Sequence, residues 1–315
     1  MAASTLAADL EGVAAGLLTP FDEAHPEEIR YEELAATAKW LFDGGIRIYL
    51  ACANISEYHS LSTAERIESV RVVSDTLDSR ATILGGAGGS TKGAIELAQA
   101  HESNGADGIM IMPPDHAFIH EQGVARYYRR IADAVDIGVV PYIRGMDVTV
   151  ELMDHITEHE NVVGIKWAVS DIELFSKCVE QLTHDVVWMC GMAEPVAPAY
   201  YMEGATGFSA GVTNFEPALG LALFDALRAG NYQRARKLRN LSQPLMDLRG
   251  EPGDGFYPGA YSVQVVKYGL LLAGQYSGTV REPLVELPDD KKAQVRECYD
   301  ELQANLETLE VRNKP

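Results

Sequence analysis

A single lysine, Lys166, interrupts an apolar run between Asn161 and Val169 that has the composition of a buried parallel strand. An ammonium group in such a strand is costly to bury unless it is paired or loses its proton. A neutral buried amine is a nucleophile toward carbonyl carbon, so this pattern predicts a lysine that forms a Schiff base. The alternative is a side chain that reaches the rim of the fold and pairs with an acid.

Strand alternation places two more reactive groups near this lysine. Tyr142 and Arg144 share one face of the preceding predicted strand, and Gly164 and Lys166 share one face of the next. A phenol beside the lysine suits proton transfer if its pKa is tuned, and a guanidinium at the rim suits a substrate carboxylate or hydroxyl. A packed core tyrosine and an ordinary rim salt bridge are the alternatives.

A small and polar turn follows the second predicted strand and precedes a helix that begins with the capping pair Ser62 and Glu65. Backbone amides exposed in such a turn can hold a carboxylate or an oxyanion. An ordinary polar loop is the alternative. The residues concerned are Ala53, Asn54, Ile55 and Ser56.

The elements that must position these groups alternate between short apolar runs and longer helical patterns, which is typical of a parallel β/α architecture. Eight such units predict an α/β fold of the (β/α)8 TIM-barrel type, with active residues at the carboxyl ends of the strands. The predicted strands are Gly12 to Thr19, Ile46 to Ala51, Thr82 to Gly86, Gly108 to Met112, Gly138 to Tyr142, Val162 to Ala168, Val186 to Cys190 and Gly207 to Gly211.

The chain after the eighth unit reads as mostly helical. We assign residues 1–230 to the barrel and 231–315 to a C-terminal helical extension packed on it, since no flexible linker separates the two. The predicted helices are Tyr232 to Leu248, Val263 to Gly274 and Asp289 to Leu309, with a Gly/Pro-rich loop from Arg249 to Gly259.

The composition is strongly acidic, with 46 Asp and Glu against 26 Lys and Arg and a formal net charge of −20. Such a surface repels phosphate backbones and anionic lipid, so we expect neither a nucleic-acid nor a membrane partner. It also suits a protein from a halophile, kept soluble in high salt. The four cysteines form no CxxC pair, and the N-terminus has no basic signal region, so a reducing cytoplasmic location is expected.

Two patterns resemble known sites without matching them. His155, Glu158 and His159 follow the H-x-x-E-H zinc pattern, but no third ligand is identifiable, so no metal is predicted. The glycine-rich segment from Gly85 to Lys92 lacks the G-K-[ST] order of a phosphate-binding loop. It is better suited to a close approach of backbone to the barrel mouth.

The motifs taken together resemble the dihydrodipicolinate synthase and N-acetylneuraminate lyase superfamily of Schiff-base barrel enzymes. The resemblance rests on three segments: Gly16-Leu-Leu-Thr-Pro-Phe21, Asn104-Gly-Ala-Asp-Gly108 with the Met-Pro-Pro that follows, and Gly164-Ile-Lys166. It implies that Lys166 carries the imine and that Tyr142 relays protons.

Within that superfamily the chain is most similar to dehydratases of 2-oxo-3-deoxy sugar acids, of the 5-dehydro-4-deoxyglucarate dehydratase type. The similar segments are Tyr142-Ile-Arg144, Asp171-Ile-Glu-Leu-Phe175, Asn214-Phe-Glu-Pro217 and Val280-Arg-Glu-Pro-Leu284. The chain also departs from the family. Ile55 stands where the family's turn has its second threonine. Asp115 and His116 replace the paired tyrosines of the synthases, which argues against dihydrodipicolinate synthesis.

The resemblance implies that Lys166 attacks the ketone of a small-molecule 2-oxo acid while the turn from Ala53 to Ser56 holds its carboxylate, with no cofactor beyond the covalent lysine imine. Dehydration is the predicted outcome, and retro-aldol cleavage to pyruvate and an aldehyde is the alternative. A non-catalytic ligand-binding or regulatory barrel is the second alternative. The side chains expected around the reacting carbons are Arg144, Ser209, Asn214 and His116. The resemblance further implies a homotetramer built as a dimer of dimers.

Overall fold

Eight parallel strands close into a barrel in this computed structural model, which describes residues 3–252, 259–309 and 311. Each strand pairs with the next in sequence, and the eighth pairs with the first. The predicted (β/α)8 fold is confirmed. The strands are β1 Gly12–Gly16, β2 Ile48–Ala51, β3 Thr82–Ala87, β4 Gly108–Ile111, β5 Gly138–Ile143, β6 Gly164–Trp167, β7 Val187–Cys190 and β8 Gly207–Ser209.

Burial explains why these runs form strands of a closed barrel, since all of their residues except Val187 are buried. The closure between β8 and β1 needs a glycine. A Cβ atom at Gly207 would lie 2.2 Å from the carbonyl oxygen of Gly12, far inside van der Waals contact. The absence of a side chain at this position lets the last strand meet the first.

Helices cover the outside of the barrel and the connections between its strands. Their bounds are α1 Ala3–Asp9, α2 Tyr31–Asp43, α3 Thr63–Leu77, α4 Thr91–Ser103, α5 Glu121–Ala132, α6 Val150–Thr157, α7 Ile172–Gln181, α8 Ala197–Met202, α9 Pro217–Arg228, α10 Tyr232–Gly250, α11 Ser262–Leu272 and α12 Asp289–Thr308. Helix α1 was not predicted. Its Leu6 side chain is fully buried against the amino-terminal ends of β4 and β5, near Gly108 and Gly138.

Six predicted strands are too long, and β2, β4 and β7 exceed the observed bounds by only one or two residues. β1 ends at Gly16 instead of Thr19, β6 begins at Gly164 instead of Val162, and β8 ends at Ser209 instead of Gly211. The reason is clearest at β8, where the backbone N–H of Gly211 donates to the carboxylate of Glu194 and leaves the sheet ladder. Alternation alone does not reveal such a competing acceptor.

The chain beyond β8 forms α10, α11 and α12, close to the predicted bounds. Helix α10 packs on α9 and α8, and α11 approaches the turn after β2. The predicted loop from Arg249 to Gly259 lies partly outside the described residues. The division at residue 230 stays an interpretation of the sequence. Within the described ranges no helix combines the length and apolar character needed to cross a membrane.

Candidate active site

A cavity of about 670 Å³ opens at the carboxyl ends of the strands. This is the end of a (β/α)8 barrel where active sites are built. Lys166, Tyr142, Arg144 and Ser209 contribute to its wall from the strands and the segments after them. The turn after β2 contributes Ala53, Asn54 and Ile55. The structure thus brings together seven of the ten residues that the sequence singled out.

Lys166 lies on the inward face of β6, as strand alternation predicted. Its neighbours Ile165 and Trp167 are fully buried, and the Trp167 ring packs edge-on against Phe175 at a centroid distance of 5.6 Å. Because the bulky side chains fill the space toward the helices, the lysine is left to face the cavity. Its side chain is 5% exposed.

Lys166 and Tyr142 are register partners on adjacent strands. The Nζ atom of Lys166 lies 4.0 Å from the centroid of the Tyr142 ring. No carboxylate among the described residues lies within ion-pair distance of this nitrogen, so the rim salt bridge considered from the sequence is not formed there. The amine therefore meets an aromatic face and a cavity.

The electrostatic surroundings lower the pKa of Lys166, so its amine loses a proton more easily than an exposed lysine does. Burial is the main cause that lowers the pKa of its amine, and the nearby Arg144 guanidinium lowers it further, while Tyr142 opposes the shift. Burial acts to raise the pKa of Tyr142, but the positive charges of Lys166 and Arg144 outweigh it and the pKa falls below its usual value. Hydrogen bonding from Arg144 and Asn54 to the phenol oxygen contributes in the same direction.

The turn after β2 is built as a short 3₁₀ segment, Asn54–Ser56. Ser56 closes it from within, because its Oγ accepts the backbone N–H of Ala53 at 3.0 Å and its carbonyl accepts the Thr19 hydroxyl at 2.6 Å. Ser56 is buried and does not line the cavity, so its predicted direct contact with substrate is not supported by its position. The Ile55 side chain packs over Gly16. A Cβ atom added at Gly16 would lie 2.4 Å from Cγ2 of Ile55.

A buried ion pair anchors this turn to the C-terminal helices. Glu57 follows the turn in a left-handed conformation with φ 58°, and its carboxylate lies 2.7 Å from Nζ of Lys267 on α11. The same carboxylate accepts the backbone N–H of Arg281 at 3.0 Å. The Lys267 ammonium also donates to the carbonyl of Thr279 and lies 4.6 Å from the centre of the Phe21 ring.

Two predicted substrate contacts lie elsewhere. Asn214 is buried beside β1, where its Oδ1 accepts the backbone N–H of Gly16 at 3.0 Å, and it does not line the cavity. His116 is exposed in the segment after β4, where its Nδ1 accepts the N–H of Phe118, and it lies outside the cavity. Both residues lie beyond a strand end, where the path of the chain and not strand parity decides the direction of a side chain.

The sequence did not identify the part of the wall that comes from distant segments. Met192 and Ala193 follow β7, and Ala193 has a left-handed backbone with φ 63°. Met246 and Arg249 come from α10, and Ser262 comes from the start of α11. The strained alanine has no sequence signature, and only the packing of α10 on the barrel brings its side chains to the cavity.

Among the described residues no group of three His, Cys, Asp or Glu side chains is arranged to hold a metal ion. The histidines of the zinc-like pattern have other partners. His159 lies 2.9 Å from Asp133, and His155 lies 4.0 Å from Glu151. The absence of a metal and of a separate cofactor stays a prediction.

Known proteins resemble this chain over almost its whole length. The sequence pattern of the dihydrodipicolinate synthetase family matches residues 9–302. A probable 5-dehydro-4-deoxyglucarate dehydratase of Paracidovorax citrulli is 31% identical over 291 residues, which cover 90% of this chain and 93% of that protein. A protein of the same name from Rhizobium rhizogenes is 28% identical and covers 93% of this chain and 97% of its own length.

Solved structures agree in fold. Dihydrodipicolinate synthase from Bacillus clausii superimposes with a TM-score of 0.90 at 31% identity, covering 95% of this chain and 99% of its own. The enzyme of the same name from Oceanobacillus iheyensis gives a TM-score of 0.91 at 27% identity, covering 96% of this chain and 99% of its own.

Proposed function

Because this chain belongs to the dihydrodipicolinate synthetase family, we propose that it is a Schiff-base lyase that removes water from a 2-oxo-3-deoxy sugar acid such as 5-dehydro-4-deoxyglucarate. This sugar acid is the one that appears in the names of the similar dehydratases from Paracidovorax citrulli and Rhizobium rhizogenes. The observation that carries the proposal is Lys166, buried without a carboxylate partner among the described residues, at the carboxyl end of a barrel strand and 4.0 Å from the Tyr142 ring.

Carbons are numbered here from the carboxylate next to the ketone, so that the ketone is C2 and the deoxy carbon is C3. The reaction begins when the neutral amine of Lys166 adds to C2. Loss of the C2 oxygen as water leaves an iminium on the lysine nitrogen, which acts as an electron sink. A proton then leaves C3, and the electron pair of that bond forms an enamine. The enamine expels the C4 hydroxyl, which takes up a proton and departs as the second water. Hydrolysis of the imine consumes one water and returns the lysine, so the net change is the loss of one water.

Tyr142 is the proposed proton carrier for the C2 oxygen. Its phenol stands beside the lysine and has a pKa lowered by neighbouring cations, which makes the proton easier to give. Arg144 and the backbone amides of Asn54 and Ile55 are the proposed ligands of the substrate carboxylate, because these residues line the same cavity, whereas the Ala53 amide already donates to Ser56. Ser209 lines it too and is available to the C4 hydroxyl.

Borohydride reduction tests this proposal directly. Incubation with pyruvate or 5-dehydro-4-deoxyglucarate and reductant is expected to add the mass of the ligand less one oxygen atom to the peptide that contains Lys166, because imine formation releases water and reduction adds two hydrogens. Lys166→Met abolishes the adduct, whereas Lys39→Met, at an exposed lysine on α2, leaves it unchanged. No adduct at saturating ligand would refute the imine mechanism.

Product analysis then identifies the bond that breaks. A product that lacks one water supports dehydration. Release of pyruvate and an aldehyde would replace the dehydratase by an aldolase, which uses the same lysine but cleaves between C3 and C4.

We further propose a cytoplasmic homotetramer, arranged as a dimer of dimers, from a high-salt environment. The net charge of −20 supports the salt adaptation, and the family resemblance supports the assembly. Sedimentation equilibrium is expected to give four copies, and a single-copy mass would refute the assembly. Thermal unfolding is expected at a lower temperature without salt, and an unchanged midpoint would refute the adaptation.

A further inference from the structure

Arg249, near the end of α10, lines the same cavity as Lys166 although it lies outside the barrel strands. Its Nη1 atom comes within 2.5 Å of the position that a Cβ atom would take at Gly211, just after β8. Arg144, the other arginine of the wall, follows β5. In the strand order, β6, which carries the lysine, lies between the strand that precedes Arg144 and the strand end that Arg249 approaches.

The hydrogen-bond partners of Arg249 among the described residues are neutral. Its Nε donates to the carbonyl of Ser262 at 3.3 Å, its Nη2 donates to the Ser262 hydroxyl at 3.1 Å, and its Nη1 lies 3.2 Å from the sulfur of Met246. No described carboxylate lies within 4.0 Å of it. Arg249 is half-buried, and a guanidinium partly withdrawn from water is best paired with a carboxylate or phosphate, so its described surroundings leave room for one more anionic partner.

Glu194 is an acid near Arg249, and its carboxylate accepts hydrogen bonds from other residues. It is fully buried, and its carboxylate accepts the backbone N–H of Gly211 at 3.0 Å, the N–H of Thr213 at 2.9 Å and the Thr213 hydroxyl at 2.6 Å. Burial lowers the pKa of Arg249, and Glu194 only opposes that shift. Arginine nevertheless stays protonated in proteins, so the cavity keeps a positive charge.

We propose that Arg249 binds the second carboxylate of the substrate, at the end of the molecule far from the carbon that Lys166 attacks. This inference rests on the proposed function and deepens it: it assigns Arg249 as the residue that selects dicarboxylic acids, such as 5-dehydro-4-deoxyglucarate, over monocarboxylic 2-oxo-3-deoxy acids of the same length. Arg144 and the turn after β2 hold the carboxylate next to the ketone, while Arg249 and the Ser262 hydroxyl receive the other. A guanidinium presents its donors as a fork, which matches a carboxylate in two parallel hydrogen bonds.

Binding of a matched pair of ligands tests the inference without turnover. 2-Oxoadipate and 2-oxohexanoate have the same chain length and differ in the second carboxylate. Calorimetry on the full chain is expected to show that the wild type binds 2-oxoadipate more tightly, by about 10- to 100-fold, the range that a charged hydrogen bond gives. Arg249→Gln is expected to lose this preference while its affinity for 2-oxohexanoate is unchanged.

Kinetics and controls complete the design. On 5-dehydro-4-deoxyglucarate, Arg249→Gln raises KM more than it lowers kcat, Arg249→Lys recovers part of the loss, and Arg236→Gln, at an exposed arginine of the same helix, behaves as the wild type. Undiminished borohydride trapping of pyruvate at Lys166 shows that Arg249→Gln is folded.

Equal affinity of the wild type for the two ligands, or equal losses on both in Arg249→Gln, would overturn the inference. Failure of the wild type to form any imine would instead overturn the proposed function, and the binding preference would still decide the role of Arg249.

Discussion

Removal of the Lys267 ammonium by Lys267→Met is expected to have a large effect on stability, because it leaves a buried carboxylate without its cation. Lys267 and Glu57 expose only 4% and 0% of their side chains, and their charged atoms lie 2.7 Å apart. Without the lysine, the one hydrogen bond left to the carboxylate among the described residues is the backbone N–H of Arg281 at 3.0 Å, and the carbonyl of Thr279 loses the ammonium donor.

The magnitude follows from the cost of leaving a buried charge unpaired. Removing one partner of a buried pair costs about 3–5 kcal/mol of unfolding free energy. At about 2 °C per kcal/mol for a large domain, the thermal midpoint is expected to fall by about 6–10 °C. Neutralising the other partner as well, in Glu57→Gln with Lys267→Met, is expected to restore much of the loss, since the amide oxygen still accepts from Arg281.

The matched control uses the same substitution at an exposed ion pair. Lys39 and Asp43 lie 2.7 Å apart on α2 but are 61% and 58% exposed, so Lys39→Met should cost less than about 1 kcal/mol. Differential scanning calorimetry of the three variants and the wild type measures the midpoints. Equal shifts for Lys267→Met and Lys39→Met, or a double variant no more stable than Lys267→Met, would refute the reasoning that burial sets the cost.

Three other predictions concern the active site and the closure of the barrel. Because the pKa of Lys166 is lowered in the folded protein, kcat/KM should rise with pH through a midpoint below the usual lysine pKa and level off above it. Arg144→Gln should move this midpoint upward. An unchanged midpoint would contradict the contribution of Arg144 to the lowered pKa. Tyr142→Phe should lower kcat by about 10²- to 10⁴-fold, and a wild-type kcat would remove it from proton transfer. Gly207→Ala should lower the midpoint of urea unfolding, because the new Cβ would lie 2.2 Å from a carbonyl oxygen of β1. Gly123→Ala should leave the midpoint unchanged, since a Cβ there meets open space in α5. Similar midpoints for the two variants would refute the packing argument.

The barrel and the position of its lysine could be predicted from the sequence, because the pattern of a strand depends on residues close together in the chain. Alternation over two residues put Lys166 and Tyr142 on inward faces, and pairing of consecutive strands put them side by side, as the register shows. Helix α1 was missed because its seven residues form a short apolar segment whose partners, Gly108 and Gly138, lie far along the chain.

The composition of the cavity wall was only partly accessible. The side-chain chemistry of Asn214 and His116 suits a substrate contact, but Asn214 bonds the backbone of β1 and His116 lies exposed, since neither is on a strand whose alternation directs its side chain. Arg249 was missed for the opposite reason. It stands in a helix that looks like a simple appendage, and nothing within its own segment connects it with Lys166.

Local periodicity in the sequence therefore determined the fold class, the eight strands to within a few residues and the inward lysine with its tyrosine. Tertiary structure alone decided which side chains complete the cavity, how the turn from Ala53 to Ser56 is closed and anchored, and that a second guanidinium faces the site. The physical reason is the distance along the chain over which each interaction acts. Backbone geometry and side-chain alternation act over a few residues, whereas Arg249 and the Glu57–Lys267 pair depend on segments that meet only when the C-terminal helices pack on the barrel.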